Sequence, residues 1–205
     1  KVKRFVFSSS SSVYGDTPTL PKKEDMPPAP VSPYGVQKLS AETYCRIFYK
    51  LYGLETFSLR YFNVFGPGQN PHSQYAAVIP LFIKAIAQNK PPTIFGDGEQ
   101  TRDFTYVDDV VDANLLCCTA PTKSAGKVFN IARGGRVSIN ELANIIMKIM
   151  GKNPGVIHTD PRPGDILHSQ ADISLAEREL GWKPKADFED GLRKTIEYFL
   201  SSEYK

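Results

Sequence analysis

Residues 4–15 read RFVFSSSSSVYG, in which a short apolar run leads into five consecutive serines. Aromatic and β-branched residues in such a run predict a buried strand from Arg4 to Ser8. In open α/β sheets, ligands bind beyond the carboxyl ends of the strands. The serines that follow the strand are therefore candidate ligand contacts, although serine runs also occur in ordinary polar loops.

A helix is predicted next, because Ser32 and Pro33 have the residue types of an N-cap and a first helical position. This helix should end near Tyr52, since Gly53 suits the position that follows a helix. Residues 55–62 are rich in β-branched and aromatic side chains and predict a second strand. Strands alternating with helices predict an α/β fold with a mainly parallel sheet.

The second half of the chain predicts shorter elements. Helices are expected at 78–88, 108–120, 139–150, 173–180 and 188–200, and strands at 91–95, 102–107, 127–132 and 156–158. We interpret this half as a small α/β lobe that begins near Gly66 and packs on the sheet, with a cleft between the two.

Composition excludes several functional classes. Lysine and arginine exceed aspartate and glutamate by 25 − 22 = 3 in 205 residues, and the two signs are interspersed, which disfavours nucleic-acid binding. The longest apolar run, residues 75–83, is far shorter than the roughly 20 residues of a membrane-spanning helix. Three cysteines, two of them adjacent, predict reduced thiols in a cytoplasmic protein rather than a disulfide framework. Because the histidines are far apart in sequence, we expect no metal site.

Tyr34 and Lys38 lie four residues apart, so a helix places them on one face. A lysine ammonium about 5 Å from a phenol favours the phenolate by roughly 3 kcal/mol at an effective dielectric constant of 20. A phenol in that setting can act as a general base. An ordinary helix with a packed tyrosine and a solvated lysine has the same spacing, so the pair alone does not define a site.

Taken together, the motifs resemble the nucleotide-sugar 4-epimerases of the extended short-chain dehydrogenase/reductase superfamily. The matching stretches are SSSSSVYG at 8–15, SPYGVQK at 32–38, RYFN at 60–63, GDG at 96–98, RDF at 102–104 and PRPGD at 161–165. The resemblance covers nearly the whole chain. It implies that residues 1–65 are the C-terminal part of a Rossmann-like NAD-binding domain. Residues 66–205 would form mainly a lobe that binds a UDP-sugar, with some segments returning to the sheet.

The serine run separates this chain from other members of the superfamily. Relatives that dehydrate or decarboxylate nucleotide sugars carry acids just before Val-Tyr-Gly, where this chain has Ser11 and Ser12. The resemblance therefore implies redox chemistry confined to C4 of the sugar, as in a 4-epimerase. The stretch RYFNVFGP at 60–67, which contains Asn63, is similar to the corresponding stretch of UDP-glucose and UDP-N-acetylglucosamine 4-epimerases. The small Ser169, which the resemblance places near the 2-substituent, leaves room for an N-acetyl group and also permits glucose and galactose.

The resemblance implies NAD as cofactor and a UDP-hexose as substrate, epimerised through a 4-keto sugar. The implied catalytic residues are Ser10, Tyr34 and Lys38. The implied NAD contacts are Ser8, Ser9, Tyr34, Lys38, Tyr61 and Phe62. The implied substrate contacts are Ser10, Asn63, Ala77, Val78, Phe95, Arg102, Arg162, Asp165 and Ser169.

Particular roles follow from the same resemblance. Tyr34 would take and return the proton of the 4-hydroxyl, directly or through Ser10. Asn63 and Arg102 would hold the diphosphate. Arg162 would add a second cation, Asp165 would bind the uridine ribose, and Ala77, Val78 and Phe95 would line the uracil slot.

A glycine-rich phosphate turn is missing from the sequence. A dinucleotide-binding fold begins with such a turn, but no Gly-x-x-Gly-x-x-Gly spacing occurs among the fifteen glycines. We therefore expect the chain to be the C-terminal part of a longer protein and to be inactive alone. The resemblance implies a homodimer for the full-length protein. Two alternatives remain open: a UDP-glucuronate 4-epimerase, or a truncated, non-catalytic relative that binds a nucleotide sugar.

Overall fold

A computed structural model of the chain describes residues 2–71, 78–162, 164 and 166–201. In chain order the strands are β1 (Arg4–Ser10), β2 (Glu55–Tyr61), β3 (Asn63–Phe65), β4 (Thr93–Phe95), β5 (Thr101–Arg102), β6 (Phe104–Tyr106), β7 (Lys127–Ile131), β8 (Val137–Ser138) and β9 (Ile157–Thr159). The α-helices are α1 (Pro33–Tyr52), α2 (Val78–Ala87), α3 (Val107–Thr119), α4 (Ile139–Met150), α5 (Ser174–Leu180) and α6 (Phe188–Leu200). The predicted alternation of strands and helices is thus confirmed.

Within the described residues, the central sheet consists of β1, β2 and β7 in that order, all parallel. Ser10 pairs with Tyr61, and Tyr61 with Ile131, so the carboxyl ends of the three strands lie side by side. The smaller pairs are β3 with β6 and β4 with β9, both parallel, and β5 with β8, antiparallel. The α/β class with a parallel sheet is confirmed.

Alternate residues of β2 face the two sides of the central sheet. Phe57 and Leu59 are fully buried in the cluster that contains the inner face of α3. On the other side, the Thr56 hydroxyl donates to the Cys45 carbonyl of α1 at 2.9 Å, and Arg60 reaches the same helix. The sheet is therefore covered on both faces, as expected for parallel strands.

A second apolar cluster lies where α2, α4 and α6 meet β3 and β6. Its centre is aromatic: the Phe65 ring lies edge-on to the rings of Phe104, Tyr106 and Phe188, with centroids 5.5–6.3 Å apart. Edge-to-face packing of this kind adds stability beyond the area it buries. The cluster fixes the second half of the chain against the end of β2.

The bounds of α1 follow the predicted capping residues. The Ser32 hydroxyl accepts the Gly35 N–H at 3.1 Å, and Gly53 ends the helix in a left-handed conformation with φ of 67°. The Ser138 hydroxyl caps α4 in the same way by accepting the Glu141 N–H at 3.0 Å. Local hydrogen-bonding capacity therefore sets where these helices begin.

The short strands β3 and β8 were not predicted, and two predicted strands differ most from the structure. β1 continues two residues beyond Ser8, because Ser9 and Ser10 still pair with β2. The single strand expected at 102–107 is instead two strands, β5 and β6, separated by Asp103. Asp103 is fully buried and directs its carboxylate at backbone N–H groups of other segments, which interrupts the alternating pattern at this residue.

All three cysteines are unpaired: Cys45 and Cys117 are buried and Cys118 is exposed. Burial raises the pKa of the Cys117 thiol to about 12, which makes it a poor nucleophile. In the part of the chain that the structure describes, no helix is both long enough and apolar enough to cross a bilayer.

Candidate functional site

A cleft of about 390 Å³ opens beyond the carboxyl ends of β1 and β2. The serine run and the start of α1 form one side of its lining, and Arg102 of β5 with Gly164, Ile166 and Ser169 forms another. The lining residues are Ser9, Ser10, Ser11, Ser12, Val31, Ser32, Tyr34, Tyr61, Phe62, Asn63, Val64, Arg102, Gly164, Ile166 and Ser169.

The cleft joins residues that the sequence analysis selected from five separate stretches. Those that line it are Ser9, Ser10, Tyr34, Tyr61, Phe62, Asn63, Arg102 and Ser169. Parallel pairing explains part of this set, because it brings the ends of β1 and β2 to one edge. Ser32 was predicted as the cap of α1 but not as a site residue, and it also lines the cleft.

Lys38 and Ser8 lie beside the cleft rather than in its lining. The Lys38 ammonium donates to the Ser8 carbonyl at 2.7 Å and lies 5.4 Å from the centroid of the Tyr34 ring. The Ser8 and Tyr61 hydroxyls are 3.2 Å apart, and Tyr61 donates to the Asn114 side-chain carbonyl at 2.9 Å. The Lys38 ammonium and the hydroxyls of Ser8 and Tyr61 therefore form a row of polar groups between the start of α1 and the end of β2.

Two of the residues predicted for the uracil slot, Val78 and Phe95, are described by the structure, and their assignment to uracil remains a prediction. Phe95 ends β4, and the guanidinium carbon of Arg162 lies 3.9 Å from the centroid of its ring. Val78 begins α2 and packs against the second apolar cluster. The structure therefore puts Phe95, Arg162 and Val78 outside the cleft lining, whereas Ala77 and Asp165 lie outside the described residues.

Gly35 makes the closest approach between α1 and the serine run. A Cβ atom at this position would lie 2.7 Å from the Ser12 carbonyl oxygen and 2.9 Å from the Pro30 Cβ. Real Cβ atoms do not come this near to backbone oxygens, so only glycine lets the helix approach so closely. The start of the helix, with Tyr34, is thereby held against the serines.

Behind the cleft, Glu42 and Arg60 form a buried ion pair that the sequence analysis did not identify. The guanidinium donates to both carboxylate oxygens, at 2.9 and 2.7 Å, and both side chains are about 95% buried. The Ser9 hydroxyl donates to the same carboxylate at 2.5 Å. Glu42 lies in α1 and Arg60 in β2, so no local spacing in the sequence signalled their pairing.

The Arg60 guanidinium also stacks on Tyr14, 4.6 Å from the ring centroid. Burial raises the pKa of Tyr14 to about 12, so its phenol remains protonated and donates to the Asn130 side-chain carbonyl at 2.7 Å. The Asn130 amide in turn donates to the carbonyls of Lys22 and Asp172. This buried chain of contacts joins α1, the central sheet and the loops near the cleft.

We call residues 166–171 the cleft wall. It is tied to β5 by two backbone bonds, from the Thr101 N–H to the Leu167 carbonyl and from the Ser169 N–H to the Thr101 carbonyl. The Ala171 N–H donates to the Asp103 carboxylate at 3.1 Å. Burial raises the pKa of Asp103 to about 7, against the opposing effects of backbone N–H donors and the Arg133 charge.

The described residues offer polar groups in the cleft but no cluster of metal ligands. Across residues 2–71, 78–162, 164 and 166–201, no three His, Cys, Asp or Glu side chains come together as a metal site would require. The polar groups of the cleft are instead hydroxyls, an amide and a guanidinium. Such groups suit a sugar and a diphosphate.

Comparison with known proteins gives a consistent set of relatives. The family model described as "NAD dependent epimerase/dehydratase family" matches residues 1–132. The UDP-glucose 4-epimerase of Mycolicibacterium smegmatis is 38% identical over 192 residues, which are 94% of this chain and 60% of that protein.

Two solved structures are similar over nearly the whole chain. The UDP-N-acetylglucosamine 4-epimerase of Methanobrevibacter ruminantium M1, in complex with UDP-N-acetylmuramic acid, has a TM-score of 0.91 and 47% identity over 97% of this chain and 63% of its own. The UDP-glucuronic acid 4-epimerase of Bacillus cereus, in complex with UDP-glucuronic acid and NAD, has a TM-score of 0.88 and 37% identity over 97% and 62%. The chain thus spans less than two thirds of the length of these relatives.

Replacing Glu42 by glutamine should destabilise the protein by about 3 kcal/mol, because it leaves the buried Arg60 charge without its partner. Guanidinium unfolding of the full-length gene product measures this loss. Glu55→Gln is the matched control, since Glu55 pairs with Arg4 at 2.7 Å while both side chains remain partly exposed. The control should cost no more than about 1 kcal/mol. Equal losses of unfolding free energy in the two variants would show that the buried Glu42–Arg60 pair stabilises the protein no more than the partly exposed pair does.

Proposed function

Because the chain belongs to the NAD dependent epimerase/dehydratase family, we propose that the protein interconverts UDP-hexoses that differ in configuration at C4, with NAD as bound cofactor. One observation carries the proposal. A single cleft joins Ser10 and Tyr34 on one side to Arg102 and Ser169 on the other. A proton-transfer pair therefore faces groups suited to a diphosphate and a sugar.

The residues present fit the nicotinamide half of NAD. The Lys38 ammonium and the hydroxyls of Ser8 and Tyr61 form a polar set at the ends of β1 and β2, which suits ribose hydroxyls and a carboxamide. The turn that would bind the pyrophosphate is missing from this sequence. When bound, NAD supplies the hydride acceptor and donor for C4 of the sugar.

Tyr34 and Ser10 would handle the proton of the 4-hydroxyl. Tyr34 takes the proton as C4 is oxidised and returns it as C4 is reduced, directly or through the Ser10 hydroxyl. The Lys38 ammonium lies 5.4 Å from the Tyr34 ring centroid, which places a positive charge beside the proposed proton-transfer group. The net redox change of the sugar is zero, so each turnover leaves the residues ready for the next.

Arg102 and Asn63 would anchor the diphosphate. A guanidinium presents paired donors that match phosphate oxygens, and an amide adds a further donor. This anchoring leaves the hexose free to present either face of C4 to the same catalytic groups. Arg162 as a second cation and Asp165 as the ribose ligand remain proposals from the sequence. The same holds for Ala77, Val78 and Phe95 as the uracil slot.

For the sugar, we propose UDP-N-acetylglucosamine and UDP-N-acetylgalactosamine, with UDP-glucose and UDP-galactose also accepted. Ser169 lines the cleft with a small side chain, and its volume supports an N-acetyl group at the 2-position. A UDP-glucuronate 4-epimerase is the second candidate, supported by the Bacillus cereus relative at 37% identity. A non-catalytic nucleotide-sugar binder is the third, since the glycine-rich turn is missing from the sequence.

We further propose that the full-length protein is a cytoplasmic homodimer and that the 205 residues alone are inactive. Exposed apolar side chains on α1 support the dimer: Ile47, Phe48, Leu51 and Tyr52. Unpaired cysteines suit a reducing compartment. The missing phosphate turn supports inactivity of the isolated chain.

The function is tested by incubating the full-length gene product with UDP-N-acetylglucosamine, without added NAD, and resolving the sugars by NMR. UDP-N-acetylgalactosamine should appear. Tyr34→Phe should lower the rate about 10²- to 10⁴-fold, because the proton acceptor is lost, while bound NAD is retained. Tyr44→Phe, on an exposed part of the same helix, is the control and should have the wild-type rate.

Other outcomes of this assay would favour the alternatives. Turnover of UDP-glucuronate alone would favour the second candidate. Binding of UDP without turnover of any UDP-hexose would favour the non-catalytic binder. A Tyr34→Phe variant as active as wild type would refute the proposed role of the phenol.

Ser169→Tyr should abolish turnover of the N-acetylated substrates and preserve turnover of UDP-glucose, because the larger side chain fills the space assigned to the acetyl group. The ratio of kcat/KM for the two substrates, in variant and wild type, measures this effect. Ser201→Tyr, at an exposed position at the end of α6, is a control for the added ring. An unchanged ratio in Ser169→Tyr would remove Ser169 from the specificity argument.

A further inference from the structure

We infer that Asp103 is a positioning residue that holds Arg102 and Ser169 in their places on the substrate side of the cleft. The inference rests on the proposed function, because it takes a UDP-sugar as the ligand of the cleft. Asp103 does not line the cleft, so it would act through its neighbours and not by touching substrate.

The carboxylate of Asp103 accepts hydrogen bonds from three backbone N–H groups, which belong to two separate segments. One oxygen accepts the Arg133 N–H at 3.1 Å, and the other accepts the N–H groups of Gly134 and Ala171, each at 3.1 Å. Gly134 has φ of 81°, a conformation that glycine adopts without strain and that turns its N–H toward the carboxylate. One buried acid thus joins the loop after β7 to the end of the cleft wall.

The backbone of Asp103 is tied to the diphosphate side of the cleft. Its carbonyl accepts the Asn63 N–H at 3.0 Å, and the residue directly before it is Arg102. A displacement of Asp103 would therefore also displace Asn63 and Arg102, the two residues proposed to bind the diphosphate. It would also displace Ala171, which bonds to the Asp103 carboxylate and lies two residues after Ser169.

Ser169 lies between two attachment points of the cleft wall. On one side, the Leu167 carbonyl accepts the Thr101 N–H at 2.9 Å, and on the other the Ala171 N–H donates to Asp103. The Gln170 amide strengthens the second attachment by donating to the Gly134 carbonyl at 3.1 Å. Loss of the Asp103 contact would remove one of the attachments that follow Ser169, where the Gln170 carbonyl also accepts the Lys22 N–H at 2.8 Å.

The chain also contains a matched residue with no part in the cleft. Asp109, in α3, is 4% exposed, and its carboxylate accepts the N–H groups of Lys185 and Ala186 at 2.8 and 3.3 Å. Like Asp103, it ties a loop to a secondary-structure element through backbone donors. A variant of Asp109 therefore shows what the loss of such carboxylate–backbone contacts does in general, and the difference from a variant of Asp103 shows the specific effect on the cleft.

The experiment compares Asp103→Asn with Asp109→Asn in the full-length gene product. Calorimetry measures the affinity for UDP, and steady-state kinetics gives KM and kcat for the UDP-sugar. Asp103→Asn should weaken UDP binding and raise KM about ten- to a hundredfold, as expected when binding groups are displaced by about 1 Å. Bound NAD should be unchanged in both variants, and Asp109→Asn should bind UDP as tightly as wild type does.

Gln170→Ala is the second variant, because it weakens the same attachment without removing a buried charge. It should raise the dissociation constant for UDP in the same direction by a smaller factor, and it decides the matter if Asp103→Asn does not fold. Wild-type UDP affinity in Gln170→Ala and Asp103→Asn, or equal losses in Asp103→Asn and Asp109→Asn, would overturn the inference alone. Absence of UDP binding by the wild-type protein would overturn the proposed function together with it.

Discussion

The buried ion pair between Glu42 and Arg60 is the constraint on which the arrangement of the cleft depends. A carboxylate and a guanidinium are both costly to bury, and a two-point contact between Glu42 and the Nε and Nη2 atoms of Arg60 offsets that cost here. The pair fixes the rotation of α1 about its axis. Since Lys38 lies one turn before Glu42 on the same face, that rotation also directs the lysine toward Ser8. The bond from Ser9 to Glu42 places the serine run by the same means.

The two sides of the cleft are held in different ways. The side that carries the proposed catalytic residues rests on side-chain contacts within a closely packed region, where α1 and the serine run meet at Gly35. The substrate side is held largely by backbone hydrogen bonds that join the cleft wall to β5 and to Asp103. The bonds to the Thr101 backbone specify position whatever the side chains are, whereas the bond from Ala171 depends on the Asp103 carboxylate. The substrate side can therefore present different side chains on a constant main-chain path.

Local sequence patterns predicted much of the fold, and motif order predicted much of the site. Capping residues and glycine gave the bounds of α1, because these effects act within a few residues. The predicted residues that share the cleft came from stretches far apart in the chain, and parallel pairing of β1 and β2 explains part of their meeting. The break at Asp103 and the pairing of Glu42 with Arg60 could not be predicted in this way. Both depend on partners that only the folded chain brings near, and both residues are of a type that is usually solvent-exposed.

The tight contact at Gly35 also bears on how such a protein could evolve. Ser11 and Ser12 line the cleft, so exchange of their side chains would change the groups that accompany Tyr34 there. Any side chain at position 35 would push the helix that carries Tyr34 away from the serines. Substitutions that change the chemistry are thus compatible with the fold along the serine run but not at position 35 of the helix. New reactions on this scaffold would arise by changing the groups that accompany the tyrosine, while the tyrosine itself remains in place.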